Sequence, residues 1–109
     1  LFYYLKLKKI IMGAKKQHLF TDQQYRDAEL GLVISAPARI EILRYLSEYN
    51  TMNIPLLERN IPLHKKTINH HVSLIERSGL IRGFYIGNKY YWGKNEEMQE
   101  DWEKIKWVL

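Results

Sequence analysis

Lys65, Asn69 and Ser73 recur at four-residue intervals, with Lys66 and His70 beside them, inside the run 63–81. On a helix with 3.6 residues per turn this spacing lines one surface with cations and with amide, hydroxyl and imidazole groups. Such a set can bond phosphate oxygens and base edges together: the lysines supply charge or reach a guanine edge, and the Asn69 amide pairs one donor with one acceptor, as an adenine edge requires. Ile68, His71, Val72 and Ile75 fall at i, i+3, i+4 and i+7 on the other side and form a stripe that a core must cover. The same helix is therefore expected to pack with one face and to offer the other to a nucleic acid. A blander reading leaves Lys65, Lys66 and Arg77 as solubilising charges, and the choice between the two rests on what surrounds the helix.

Other chemistry is scarce. Neighbouring helix positions point about 100° apart, so His70 and His71 cannot chelate one ion. His71 belongs to the packed stripe as a hydrogen-bonded interior residue, and His70 faces outward. Protonation of His64 or His70 would add charge opposite phosphate and make affinity depend on pH. The 109 residues contain no cysteine, which removes disulfides, thiolate metal sites and a thiol nucleophile. There is no glycine-rich phosphate loop and no Ser-His-Asp arrangement, so an enzyme, a cofactor and a metal are not expected.

The elements that must position the polar face can be read outward from it. Thr21-Asp-Gln-Gln24 has the form of a capping box and opens a helix through Tyr25, Ala28, Leu32 and Val33. Ser35 is expected to cap a second helix with Pro37 in its first turn. Ile42, Leu43 and Leu46, widened by Ile40 and Tyr49, make that second helix the centre of the core. Residues 50–53 have room for a very short strand before Asn53 caps a third helix from Ile54 to Asn60. The two-faced helix spans about His64 to Ser78 and stops at Gly79, where a positive φ is tolerated. Ile81, Phe84, Tyr85 and Ile86, then Tyr90, Tyr91 and Trp92, are β-formers split by Gly87-Asn88, the signature of a hairpin with a two-residue turn. On such strands Tyr90, Tyr91 and Trp92 alternate faces, so half of them are expected to fill the gap between hairpin and helices rather than to stack on bases. Asn95-Glu-Glu opens a last helix with a seam of Met98, Trp102, Ile105 and Leu109, read as a dimer interface between two copies of the chain.

Charge follows the same division. Residues 1–94 hold 15 Lys+Arg against 7 Asp+Glu, a balance of +8, whereas residues 95–109 hold 2 against 5, a balance of −3. The body attracts a polyanion and the tail repels one. Apolar residues make up 46% and charged residues 27%, ordinary for a folded domain. No apolar run reaches the length of a membrane span, and a membrane partner is not expected. Residues 1–11 are expected to be vector-derived or translated from upstream of the true initiator, Met12 being the natural start; the alternative is an apolar arm that packs on a partner.

The order helix, helix, short helix, turn, two-faced helix, hairpin describes a mainly α chain with a small β-hairpin, a winged helix-turn-helix DNA-binding domain. Within that class the sequence resembles the ArsR family of bacterial transcriptional repressors over about Ser35 to Gly93. The resemblance is carried by Ser35-Ala-Pro-Ala-Arg-Ile-Glu-Ile-Leu43, by Thr67-Ile-Asn-His-His-Val72 with Leu74, by Ser78-Gly-Leu-Ile81, and by a glycine-bearing wing ending in paired tyrosines. It departs from the pattern at Glu58, where a small residue is usual, and at Pro62, where a turn glycine is common. The resemblance implies a homodimer whose terminal helices pair and whose long helices enter successive major grooves of double-stranded DNA. Carried over, its DNA-facing positions fall on His64, Lys65, Lys66, Asn69 and His70, with wing contacts at Asn88 and Lys89; Ser73 joins them from the helical spacing. The family's cysteine pair is missing from Thr51-Met-Asn-Ile-Pro-Leu56, and the last helix lacks the Asp and His set of the family's other metal site. Metal sensing by either route is therefore not implied.

The expected organisation is an N-terminal extension over 1–20, a winged helix-turn-helix domain over 21–94 and a C-terminal dimerisation helix over 95–109. The expected activity is sequence-specific regulation of transcription in the cytoplasm, by a dimeric repressor. The alternative is a winged-helix protein–protein interaction module whose basic face is incidental.

Overall fold

The computed structural model describes residues 19–109, so the expectation for residues 1–11 lies outside the described residues. Helix α1, Asp22–Val33, begins as its capping box predicts: Thr21 Oγ1 accepts from the Gln24 amide (3.1 Å) and Gln24 Oε1 accepts from the Thr21 amide (2.9 Å). Its buried stripe is Tyr25, Glu29, Leu30 and Val33, whereas Ala28 and Leu32 are exposed. Helix α2, Pro37–Glu48, is the central helix, with Ile42, Leu43 and Leu46 fully buried. Two expectations here are corrected. The N-cap of α2 is Ala36, without a side-chain bond, because Ser35 Oγ instead donates back to the Leu32 carbonyl (2.7 Å). Tyr49 does not widen the core face: the chain turns extended there, and its ring lies exposed against Tyr45.

The short strand is present as β1, Thr51–Met52, and Asn53 Oδ1 accepts from the Leu56 amide (3.0 Å) to cap α3, Ile54–Asn60. Helix α4, Lys65–Arg77, follows the turn at 61–64 and ends at Ser78, with Gly79 at φ +86° just beyond. Strands β2, Ile81–Ile86, and β3, Lys89–Lys94, form the hairpin. Its two-residue turn has positive φ at Gly87 (+64°) and not at Asn88, the pattern of a type II′ turn. The hairpin is part of a larger sheet than the sequence suggests. β1 pairs antiparallel with β3 through Thr51↔Gly93 and Met52↔Trp92, giving the strand order β1-β3-β2.

The C-terminal segment departs most from expectation. It is not one rod but a 3₁₀ turn (Glu96–Met98), a short α5 (Gln99–Ile105) and a second 3₁₀ turn (Lys106–Val108). Its seam does not face outward: Trp102 and Ile105 are buried in the same cluster as Leu30, Ile42, Leu46, Ile68, Val72, Ile75 and Leu80, and Met98 and Leu109 pack against that cluster. The predicted dimer seam of Met98, Trp102, Ile105 and Leu109 thus closes its own domain. The physical reason is geometric. Asn95 binds the helix–wing junction through its amide, which donates to the Leu80 carbonyl (2.9 Å), and through Nδ2, which donates to the Gly79 carbonyl (2.9 Å). The chain is thereby turned back over the core, and Trp102 Nε1 donates to the same Leu80 carbonyl (2.9 Å).

Candidate nucleic-acid interface

Helix α4 separates its two faces as its sequence demands. Ile68, Val72 and Ile75 are buried, while Lys65, Lys66, His70 and Ser73 are exposed and Asn69 is half-buried. Lys65, Lys66, Asn69 and Ser73 make no side-chain hydrogen bond or ion pair with another described residue. Cations of the C-terminal segment behave differently, since Lys104 pairs with Asp27 (3.2 Å) and Lys106 lies near Glu103 (3.9 Å). A lysine without an ion pair keeps its full charge available to a partner, and α4 shares this open charge with Lys89 of the wing.

His64 has a task that its sequence position does not reveal. As N-cap of α4 its Nδ1 accepts from the Lys66 amide (3.2 Å), which leaves Nε2 as the edge turned to a partner. Asn88 and Lys89 are exposed at the hairpin tip. The predicted site residues therefore fall in two places, the outer face of α4 and the tip of the wing.

Beyond its buried apolar stripe, α4 is tied down by enclosed charge that the sequence pattern does not announce. Arg39, at the start of α2, donates from Nε to the Val33 carbonyl (2.8 Å), from Nη2 to the Leu32 carbonyl (3.0 Å) and to Ser35 Oγ (3.1 Å). Helix α1 has no basic residue in its last turn, so Arg39 brings the cation to its negative end from the next helix. The remaining Nη1 meets His71 Nδ1 on the back of α4 at 2.9 Å. Guanidinium can only donate, so Nδ1 accepts and the His71 proton sits on Nε2. Burial, then the Arg39 charge, then His70 hold His71 below its ordinary 6.5. The expected hydrogen-bonded interior histidine is thus present, half-buried and not fully enclosed.

Arg26 fastens the other end. It donates to the carbonyl of Ser78, the C-cap of α4 (2.7 Å), and to Asp101 Oδ2 of α5 from Nε (3.0 Å) and Nη2 (2.9 Å). It also forms an ion pair with Glu29, which is almost wholly buried. Burial pushes the Glu29 carboxyl up from its ordinary value, the Arg26 charge pulls it down and Asp101 raises it again. One guanidinium therefore joins α1, α5 and the end of α4. The only sequence signal for either arginine is position: Arg39 stands beside a helix end, and Arg26 precedes Glu29 at i+3.

The arrangement of a central helix, a short helix, a turn, an exposed second helix and a three-stranded wing defines a winged helix-turn-helix fold. No family model matches the sequence, and no curated protein does. Among solved structures the chain is similar to the crystal structure of an ArsR family transcriptional regulator. It superposes with a TM-score of 0.60 at 19% identity, covering 72% of this chain and 80% of that one. The likeness is one of fold, and the fold is that of the family whose motifs the sequence resembles.

Proposed function

We propose that the protein is a sequence-specific double-stranded DNA-binding transcriptional regulator that works as a homodimer and represses by occluding a promoter. The observation that carries this reading is the outer face of α4, where Lys65, Lys66, Asn69 and Ser73 have no side-chain partner among the described residues, opposite a face buried by Ile68, Val72 and Ile75. In the major groove Lys65 and Lys66 contact phosphates or guanine edges, Asn69 addresses adenine, and His64, His70 and Ser73 complete the surface. Asn88 and Lys89 add contacts from the wing. Cytoplasmic action follows from this role. No described helix is long and apolar enough to cross a membrane.

Because the tail seam is buried within the domain, the self-association face is assigned to what is left exposed on α1 and the final turn. Trp107 is 80% exposed and Leu32 42% exposed, and Gly31, Ile34, Leu30 and Ile105 border a shallow depression beside Trp107. Selection of duplexes from a random pool tests the proposal. A regulator enriches a roughly palindromic site with half-sites about one helical turn apart and prefers it to bulk DNA by orders of magnitude at physiological salt. Weak, salt-sensitive binding without sequence preference would overturn it in favour of a protein-interaction module.

A further inference from the structure

The hairpin carries a feature that the lysines of the wing do not explain. Tyr85 is 70% exposed and Ile86 55% exposed, side by side at the end of β2. Successive strand residues point to opposite faces, so these two apolar side chains flank the ribbon tip on both sides. A flat partner could cover one of them; only a groove that receives the ribbon edgewise touches both.

Tyr85 is also held firmly. Its ring meets Tyr90 edge-on (4.9 Å between centroids, 72°), and Tyr90 in turn meets Trp92 edge-on (5.1 Å, 86°). Trp92 packs against the core, so the aromatic ladder runs from the core to the tip along one face of the sheet. Gly83 makes room for it: a Cβ there would lie 1.8 Å from Tyr90 Oη. An apolar group fixed in advance loses little freedom on binding.

The charge around it selects the partner. Lys89 stands opposite Ile86 at the tip, Arg82 and Lys94 stand at the base of the hairpin, and residues 81–94 hold no carboxylate. The wing of a second copy would present the same cations and repel them, whereas a polyanion with apolar sugar and base edges between its phosphates satisfies both features.

Resting on the DNA-binding reading above, we infer that Tyr85 and Ile86 form an apolar wedge that enters a groove of duplex DNA beside the phosphate contact of Lys89. Their contribution is separable from charge, because burying apolar surface releases no counterions. The test uses the full chain and the duplex that the wild-type protein selects from a random pool, titrated by anisotropy across salt concentrations. Tyr85→Thr with Ile86→Thr, which keeps strand-forming residues, is expected to weaken binding about tenfold at every salt concentration with the log–log slope unchanged. Lys89→Ala is expected to lower the slope by about 0.9. Unchanged affinity of the double variant, or a slope change like that of Lys89→Ala, overturns the wedge. Should the double variant fail to fold, hydroxyl-radical footprinting of the wild-type protein decides, since Tyr85 must be protected by the duplex; full reactivity in the complex overturns it. Binding of phosphatidylserine vesicles, or a dimer, that is lost in the double variant while DNA affinity stays intact assigns the tip to a membrane or a second copy and also overturns it. A wild-type protein that selects no duplex defeats the parent reading instead, so the two failures are told apart.

Discussion

Helix α4 and the C-terminal segment 95–109 carry equally clear apolar stripes and both are buried, but their opposite faces differ. The tail lysines are engaged by Asp27 and Glu103, and those of α4 are not engaged by any described residue. In α4 the stripe of Ile68, Val72 and Ile75 is buried and the polar face is left open. In the tail the stripe of Met98, Trp102, Ile105 and Leu109 also turns inward, against the same cluster. A helical stripe states that something covers it and does not state what. For α4 this ambiguity is harmless, because the residues proposed to contact DNA lie on the other face. For the tail it points to the wrong cover, since the cue for self-coverage is the pair of Asn95 bonds to Gly79 and Leu80, which no periodicity records.

The largest expected effect breaks the tail's side of this comparison. Trp102→Ala should lower stability by about 3–5 kcal/mol, the range for a buried tryptophan, with a matching fall in Tm. A tail that served only as a dimer seam would give dissociation without loss of fold. By contrast Trp107→Glu should leave the monomer's Tm nearly unchanged and shift sedimentation toward the monomer; a stable dimer in that variant would remove Trp107 from the proposed interface.

The middle effect concerns the open face of α4. Lys65→Ala with Lys66→Ala should weaken binding to the selected duplex and reduce its salt slope by about 0.9 for each phosphate no longer neutralised, with thermal stability within about 0.5 kcal/mol of wild type. Unaltered titrations would show that the two lysines only solubilise the helix.

The smallest effect sharpens the comparison at the back of α4. His71 is held below its ordinary 6.5 in the fold, so the folded chain binds fewer protons there than the unfolded chain. Its contribution to stability is therefore complete above about pH 6.5 and is lost as pH falls through the lowered value, because a protonated Nδ1 cannot accept from Arg39. Burial raises Glu29, which acts in the opposite sense, its contribution fading as pH rises. Melting curves of wild type and His71→Gln between about pH 5.5 and 7.5 isolate the histidine. The wild type should lose more on acidification, and parallel curves would show that the Arg39 contact does not matter.

Much of this is legible in the chain. The capping box at Thr21, the span of α4 and the turn at Gly87-Asn88 are local signals, and the structure follows each of them. Ser35 shows the limit of such signals: a good N-cap residue is drawn instead to the end of the preceding helix, where Leu32 offers a carbonyl and Arg39 a donor. Glu29, Arg26 and Arg39 are illegible for a different reason. Charged residues are rarely enclosed, so sequence reading leaves them in solvent. Only the fold shows the carbonyls that accept from Arg26 and Arg39 and the Arg26 guanidinium that pairs with Glu29, which make their burial tolerable.

The Leu80 carbonyl accepts both from the Asn95 amide and from Trp102 Nε1, each at 2.9 Å, on a residue with no exposed surface. Both lone pairs of that oxygen are used, which leaves no place for water to loosen the corner where α4 gives way to the wing. Helix and wing should then move as one rigid caliper of fixed opening. Any duplex that touches both arms must adjust its own groove width or curvature to fit, so base steps that deform easily between the two contacts are expected to be favoured although no side chain reads them.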